Sequence, residues 1–79
     1  MENTAIIWSK DGCPNCVTAK QLMTEAGIRF EEKKIDYNAT REEFFENNPG
    51  CRSVPQIHLN NSRFDHNSLT NFIGELRAI

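Results

Sequence analysis

Two kinds of hydrophobic pattern divide this sequence into predicted elements. Short apolar runs bounded by turn residues predict buried strands. The clearest runs are Ala5-Ile6-Ile7-Trp8 and Val54 to Leu59. Apolar residues that recur at i, i+3, i+4 and i+7 predict a helix with one buried face. Two segments show this spacing, namely Ala19, Leu22, Met23 and Ala26, and Leu69, Phe72, Ile73 and Leu76.

Cap residues set the limits of three predicted helices. Pro14 suits the first turn of the first helix, and Gly27 suits its C-terminal cap. Thr40 and Glu43 have the spacing of a capping box, which predicts a second, short helix. The remaining helix signals are Phe44 and Phe45 inside the second helix, Pro49-Gly50 at its end, and Asn67 or Ser68 as the N-cap of the third helix.

Two further strands complete the order of elements. The residues that mark them are Ile28, Phe30 and Ile35 for the second strand, and Arg63 and Phe64 for the fourth. Asn60-Asn61 is a two-residue hairpin turn before the fourth strand. The order is β-α-β-α-β-β-α, in one domain spanning residues 1–79. The first strand–helix–strand unit predicts a parallel pair with a right-handed crossover, and the hairpin adds antiparallel strands to make a mixed sheet.

Composition and charge narrow the classes of function. The net charge of −2 and the pI of about 5.6 argue against a nucleic acid or an anionic membrane as partner, because both call for a basic face. The polar start from Met1 to Thr4 carries Glu2 instead of a basic segment, and no apolar run approaches the ~20 residues of a membrane span. We therefore expect a cytoplasmic protein without a signal peptide, and a monomer at this size.

Cys13 and Cys16 lie three residues apart at the predicted start of the first helix, directly after a strand. Residues at this spacing share one face of a helix. Free N–H groups and the helix dipole favour a thiolate on Cys13, and Lys10 adds a positive charge close by. We therefore expect Cys13 to be the nucleophile that attacks disulfides. Cys16, deeper in the helix, is expected to resolve the mixed disulfide.

A zinc site and a structural disulfide are the alternatives for this cysteine pair. Zinc needs four ligands, and the other candidates, Cys51, His58 and His66, lie at long and irregular spacings. Three cysteines are an odd number for a disulfide-stapled domain, and in a reducing compartment close-set cysteines are more often catalytic or metal-binding than structural. We therefore prefer the redox interpretation, with no metal site.

The motifs together resemble those of the glutaredoxin family. The segments that carry the resemblance are Lys10, Cys13-Pro14-Asn15-Cys16 and Ser53-Val54-Pro55-Gln56, in the family's order and spacing. The resemblance covers essentially the whole chain. It implies an α/β thioredoxin fold, with a four-stranded mixed sheet and helices on both faces. It also implies a thiol–disulfide oxidoreductase that reduces protein disulfides or protein–glutathione mixed disulfides, with glutathione as co-substrate and no bound cofactor.

The resemblance further implies a glutathione site. Pro55 would follow a cis peptide bond, the backbone of Val54 would pair with the cysteinyl backbone of the substrate, and Lys10, assisted by Arg52, would bind a carboxylate of glutathione. The full set of implied glutathione-binding residues is Lys10, Pro14, Asn15, Arg52, Val54, Pro55, Asn67 and Ser68.

Two departures from the family bear on this site. Asn15 stands between the cysteines where most members carry Tyr or Phe. Asp65-His66-Asn67-Ser68 replaces a Gly-Gly-x-Asp segment that holds the γ-glutamyl end of glutathione. Ser68 aligns with the acidic position and is neutral, so it binds an ammonium group more weakly than a carboxylate would. Asp65 is a neighbouring source of the missing charge.

Two alternatives to a glutathione-dependent enzyme stay open. The altered segment favours a glutaredoxin-like electron donor, for example to ribonucleotide reductase, that thioredoxin reductase recharges. A binding module for a metal or an iron–sulfur cluster is an alternative of another class, which Pro14 and the presence of Cys16 disfavour.

Four other residues carry interpretations of their own. Cys51 is interpreted as a loop residue, with a regulatory disulfide as its alternative. His58 alternates with apolar neighbours and is interpreted as structural, on the opposite face of the sheet. Trp8 is expected in the core or as a wall of the site, and His66 is a candidate neighbour of the γ-glutamyl site. Besides these four residues, we expect four phenylalanines in the core or as shielding around the site, namely Phe44, Phe45, Phe64 and Phe72.

Overall fold

The computed structural model describes residues 4–77, in which four strands form one mixed sheet in the order β2-β1-β3-β4. Strand β1 pairs parallel with β2 and antiparallel with β3, and β3 pairs antiparallel with β4. The elements are β1 (Thr4–Ser9), α1 (Pro14–Glu25), β2 (Arg29–Lys34), α2 (Arg41–Asn47), β3 (Gln56–Leu59), β4 (Ser62–Phe64) and α3 (His66–Arg77). The predicted order of elements and the mixed sheet are both confirmed.

The alternation of side chains along β1 gives the sheet two buried faces. Ala5 and Ile7 point to the face covered by α1 and α3, while Ile6 and Trp8 point to the face covered by α2. The larger cluster consists of Ala5, Ile7, Ala19, Met23, Ile57, Leu59, Leu69 and Ile73. The smaller cluster consists of Trp8, Ile35, Ala39 and Phe44. Helices therefore lie on both faces, as the thioredoxin fold requires.

Local caps and turns agree with the sequence at three places. Thr40 is the N-cap of α2, and its side chain and that of Glu43 accept each other's backbone N–H in a capping box. Gly27 adopts φ +74° just after α1, a conformation that glycine adopts without steric cost. Asn60 and Asn61 both have positive φ, at 52° and 65°, as a tight hairpin turn between β3 and β4 needs.

Three expectations about boundaries and faces are wrong. Strand β3 begins at Gln56 instead of Val54, because Pro55 has no N–H to contribute to a strand ladder. Neither Asn67 nor Ser68 caps α3, because Asp65 precedes the helix and its side chain accepts the backbone N–H of Ser68. Leu76 is exposed, since the last turn of α3 extends past the core cluster.

Candidate active site

The two cysteines of the redox motif meet at the N-terminus of α1. Cys13 is the N-cap residue, with extended backbone angles, and Cys16 lies in the first turn. Their sulfur atoms form a disulfide, with the Cα atoms 5.3 Å apart. The backbone N–H of Cys16 also donates to the Cys13 sulfur at 3.1 Å. Such a donor, together with the helix dipole, would stabilise a thiolate on Cys13 after reduction.

The two sulfurs differ in access to solvent. Cys13 is partly exposed, whereas only 2% of the Cys16 surface is accessible. An external disulfide therefore reaches Cys13 first, and Cys16 reaches only a partner already attached to Cys13. This geometry fits the predicted roles of attacking and resolving thiol.

A second segment faces Cys13 from the loop before β3. The Cys13 sulfur lies 3.7 Å from the carbonyl oxygen of Val54, although the two residues are 41 positions apart. The peptide bond between Val54 and Pro55 is cis, as the family resemblance implied. Pro55 itself is buried, so Val54 is the member of the pair that borders the site.

A groove of about 590 Å³ opens beside Cys13. Its lining residues are Lys10, Gly12, Cys13, Pro14, Ile35, Asp36, Arg41, Phe44, Phe45, Arg52, Ser53 and Val54. The structure thus brings four predicted binding residues, Lys10, Pro14, Arg52 and Val54, around the nucleophile.

Four other predicted binding residues do not line this groove. Asn15 is exposed on the first turn of α1, and Pro55 is buried behind Val54. Asn67 and Ser68 lie in the first turn of α3. Ser68 is already engaged, because its hydroxyl donates to the Asp65 carboxylate at 2.7 Å and accepts the Asp65 backbone N–H at 3.1 Å.

In one wall of the groove, Asp36 and Arg41 were not predicted from the sequence, whereas Phe44 and Phe45 were expected in the core or as shielding around the site. Asp36, Arg41, Phe44 and Phe45 come from α2 and the loop before it. Phe44 packs edge-on against Trp8 with ring centroids 5.9 Å apart, so the core of this face also forms part of the site. Arg41 directly follows the Thr40 cap, at the start of a short helix. This position was the one feature of the sequence that could have indicated Arg41 as a site residue.

An ion pair and a hydrogen bond hold the loop that precedes Cys13. Asp11 lies 2.7 Å from the Lys34 ammonium and accepts a hydrogen bond from the Tyr37 hydroxyl. Hydrogen bonds from Lys34 and Tyr37 lower the pKa of Asp11, and the bond to Asp11 raises the pKa of Tyr37. The Lys34 ammonium also lies 4.7 Å from the centre of the Tyr37 ring. The turn after β2 is thereby tied to the loop carrying the cysteines.

A second polar cluster lies beneath α1. The Glu32 carboxylate accepts hydrogen bonds from the buried Ser9 hydroxyl at 2.6 Å and from Lys20 at 2.9 Å. The bond from Ser9, followed by that from Lys20, lowers the pKa of Glu32. This cluster joins α1 to β1 and β2 directly behind the redox loop.

Four further residues that the sequence analysis interpreted lie outside the groove lining, namely Cys51, His58, Trp8 and His66. Cys51 is half-buried and free, packed against the smaller core cluster. His58 points to the face covered by α2, where its Nε2 atom lies 2.8 Å from the side-chain oxygen Oδ1 of Asn48. The structural interpretation of His58 is therefore confirmed. Trp8 is 3% exposed and belongs to the core. His66 begins α3 and is partly buried.

Residues 4–77 contain neither a metal-binding cluster nor a membrane-spanning helix. Within this range, no group of three or more His, Cys, Asp or Glu side chains is arranged to hold a metal ion. The helices of the same range are all too short or too polar to cross a membrane.

The fold and the site together define a class of protein. A Cys-x-x-Cys motif that caps the first helix of a β-α-β unit and faces a cis-proline loop is the arrangement of thioredoxin-fold dithiol proteins. Within this class the sequence model of the glutaredoxin family matches residues 5–64. The chain belongs to the glutaredoxin family.

Individual relatives agree with this assignment. The chain is 40% identical over 53 residues to glutaredoxin 3 of Escherichia coli K12, a match covering 67% of this chain and 64% of that protein. It is 36% identical over 62 residues to glutaredoxin 1 of Rickettsia conorii, covering 75% of this chain and 60% of the relative. The matched segments thus span less than two thirds of these relatives.

A solved structure is similar over nearly the whole chain. Glutaredoxin 1 of Francisella tularensis, in complex with cacodylate, superposes with a TM-score of 0.75 at 29% identity. The match covers 98% of this chain and 99% of that one.

Proposed function

We propose that this protein is a glutathione-dependent thiol–disulfide oxidoreductase that reduces protein disulfides and protein–glutathione mixed disulfides. The observation that carries the proposal is the position of the Cys13 sulfur, 3.7 Å from the Val54 carbonyl at the edge of a groove that Lys10 and Arg52 also line. A peptide with a cysteine and carboxylates can bind and react at such a site. The Cys13 sulfur attacks its disulfide, the backbone of Val54 pairs with its backbone, and the two cations pair with its carboxylates.

The reaction transfers two electrons in two exchange steps. The Cys13 thiolate attacks one sulfur of the substrate disulfide, forms a mixed disulfide and releases the other sulfur as a thiolate. Cys16, or a glutathione thiolate, then attacks the mixed disulfide and releases the second substrate thiol. On the Cys16 route, two molecules of reduced glutathione then reduce the Cys13–Cys16 disulfide to the dithiol. On the glutathione route, the first glutathione is left attached to Cys13, and a second one releases the Cys13 thiolate. Either route consumes two molecules of glutathione and yields one molecule of glutathione disulfide.

Positioning of glutathione follows from the groove. Lys10 and Arg52 attract its glycyl carboxylate, and the backbone of Val54 pairs with its cysteinyl unit. Pro14 and Asn15 flank the reacting sulfur from the start of α1. Asn67 and Ser68 are assigned to the γ-glutamyl end, with the Asp65 carboxylate, which the Ser68 hydroxyl contacts, as the source of negative charge.

The hydrogen bonding of Ser68 favours a second candidate. Because its hydroxyl is committed to Asp65, the γ-glutamyl end of glutathione gains less here than from a free carboxylate. A dithiol protein that binds glutathione weakly would depend on thioredoxin reductase for its electrons. In either case the cysteine usage fits a cytoplasmic protein, and the small size of the chain fits a monomer. Ribonucleotide reductase is one protein substrate to assay, by analogy with small members of the class.

One assay with two electron sources tests the proposal. The substrate is a glutathione mixed disulfide, and electrons come either from glutathione with glutathione reductase or from thioredoxin reductase. We expect turnover with glutathione in the wild type, loss in Cys13→Ser and partial retention in Cys16→Ser. Turnover with thioredoxin reductase alone would overturn glutathione dependence and leave the second candidate.

A further inference from the structure

Arg41 and Phe45 form a pair of side chains on one face of α2. They are four positions apart, so they are neighbours on the helix surface, and both line the groove beside Cys13. The ring of Phe45 is 52% exposed, in contrast to the adjacent Phe44, which is 3% exposed. We call these two side chains the α2 strip.

Phe45 is held in place although it faces solvent. Its ring packs edge-to-face on Phe44, with centroids 5.4 Å apart and the planes at 74°. Phe44 in turn packs against Trp8 in the core. A large apolar surface that is fixed and exposed beside a reactive sulfur is a ready contact for an apolar group of a partner, because little entropy is lost when it binds.

The charged residues that line the groove with the strip are predominantly positive, although α2 itself also carries Glu42, Glu43 and Glu46 outside the lining. Lys10, Arg41 and Arg52 enter the groove from three separate segments, against one carboxylate, that of Asp36. Asp36 lies 3.9 Å from Arg41, at the limit of an ion pair, and both side chains are largely exposed. A basic groove on a chain of net charge −2 indicates an anionic partner for this one surface.

We propose that the α2 strip selects protein substrates in which an acidic residue and a large apolar residue lie close to the reactive disulfide. The acidic side chain pairs with Arg41, and the apolar side chain covers Phe45. Glutathione carries carboxylates but no large apolar group, so Phe45 has no counterpart in it. The inference rests on the proposed oxidoreductase function and names the substrate class of the same site.

The reaction at the strip is the exchange already described. Cys13 and Cys16 are oxidised from two thiols to a disulfide, and the substrate disulfide is reduced to two thiols that take up the two protons. No further reactant takes part in a single turnover of the pre-reduced protein. Selectivity can therefore be measured without glutathione.

Three short peptides with one internal disulfide serve as substrates. The first carries Glu and Phe next to a cysteine, the second carries Ser at both positions, and the third carries Lys and Phe. Pre-reduced protein is mixed with excess peptide, and the second-order rate of peptide reduction is followed by chromatography. We expect the wild type to prefer the Glu–Phe peptide over the Ser–Ser peptide by about tenfold.

Two variants of the strip should change this preference in different ways. Phe45→Ser should reduce the ratio between the Glu–Phe and Ser–Ser peptides to about two or less. Arg41→Glu should reverse the ratio between the Glu–Phe and Lys–Phe peptides. The controls Leu76→Ser and Arg63→Gln change an exposed apolar side chain and an arginine outside the groove, and they should keep the wild-type ratios.

The outcomes separate the two proposals. Equal rates on all three peptides would overturn the selectivity of the strip and leave the oxidoreductase function intact, whereas no reduction of any peptide would contradict both. Sedimentation of the wild type and Phe45→Ser completes the test. A wild-type dimer that Phe45→Ser abolishes would assign the strip to a second copy of the chain and overturn its assignment to substrates.

Discussion

The Tyr37 hydroxyl donates a hydrogen bond to the Asp11 carboxylate across 26 positions of the chain. Asp11 stands two residues before Cys13, and Lys34 pairs with the same carboxylate at 2.7 Å. The contact therefore links the loop that carries Cys13 to the turn that leads into α2. The exposed cluster of Asp11, Lys34 and Tyr37 therefore joins two segments whose neighbouring residues line the groove.

The titration of Tyr37 reports this contact directly, because Tyr37 is the chain's one tyrosine. The hydrogen bond to Asp11 and the negative charge of its carboxylate raise the pKa of Tyr37 above its ordinary value of 10.0. We predict that Asp11→Asn lowers the pKa of Tyr37 towards that value, as measured by ultraviolet absorbance of the tyrosinate. Asp65→Asn, which removes a carboxylate elsewhere, should leave the titration unchanged. Identical curves for wild type and Asp11→Asn would show that the contact is absent in solution.

His58 makes stability depend on pH. Burial, followed by the positive charge of Arg63, lowers the pKa of His58 below 6.5, so the folded protein binds a proton less readily than the unfolded chain. The resulting stability is present above about pH 6.5 and is lost as the pH falls from there through the folded-state pKa. We predict that the free energy of unfolding, measured in urea, falls more between about pH 7.5 and about pH 5 in the wild type than in His58→Gln.

The His58→Gln variant also provides the control for this prediction. The glutamine in His58→Gln can still donate to Asn48, so the variant separates loss of the titrating group from loss of the contact. Equal pH dependence in His58→Gln and the wild type would contradict the role of His58.

The packing of α3 predicts different costs for two leucines of the same helix. Leu69 is fully buried in the larger core cluster, while Leu76 is 45% exposed in the last turn. Leu69→Ala should lower the free energy of unfolding by about 2–5 kcal/mol, because it removes buried methyl groups and leaves a cavity. Leu76→Ala should change it by no more than about 0.5 kcal/mol. If the two variants lost similar amounts of unfolding free energy in denaturant, the placement of α3 would be contradicted.

The start of α3 gives a prediction about capping. The Asp65 side chain accepts the backbone N–H of Ser68 at 2.8 Å, and this bond lowers the pKa of Asp65. Asp65→Ala should therefore cost about 1 kcal/mol of unfolding free energy. Asn67→Ala should be near neutral, within about 0.5 kcal/mol. If Asn67→Ala destabilised the protein more than Asp65→Ala in thermal or urea unfolding, Asn67 would be the cap instead.

The sequence predicted those features that depend on short-range pattern. The apolar spacing of α1, the Thr40–Glu43 capping box and the Asn60-Asn61 turn each involve residues within one or two helical turns or one hairpin, and each is present. Two cysteines three positions apart after a strand also sufficed to place the redox centre at the start of a helix.

Features that depend on the tertiary arrangement were missed. Arg41 lies far from Cys13 along the chain, and it joins the groove because α2 packs on the same face of the sheet as Trp8. Phe45 was expected either in the core or as shielding around the site, without a choice between the two. No local pattern distinguishes Phe45, which is exposed, from Phe44, which is buried. The commitment of Ser68 to Asp65 likewise required the observed hydrogen bonds.

The central claim is that Cys13 attacks and Cys16 resolves, and trapping of the mixed disulfide tests it most directly. Cys13→Ser and Cys16→Ser, each combined with Cys51→Ser, are incubated separately with glutathione disulfide, and the adduct is followed by intact-protein mass spectrometry. Cys13 is partly exposed and caps α1, whereas Cys16 is 2% exposed. The account predicts that the variant retaining Cys13 forms the glutathione adduct at least about tenfold faster than the variant retaining Cys16. An equal or faster reaction of Cys16 would contradict it.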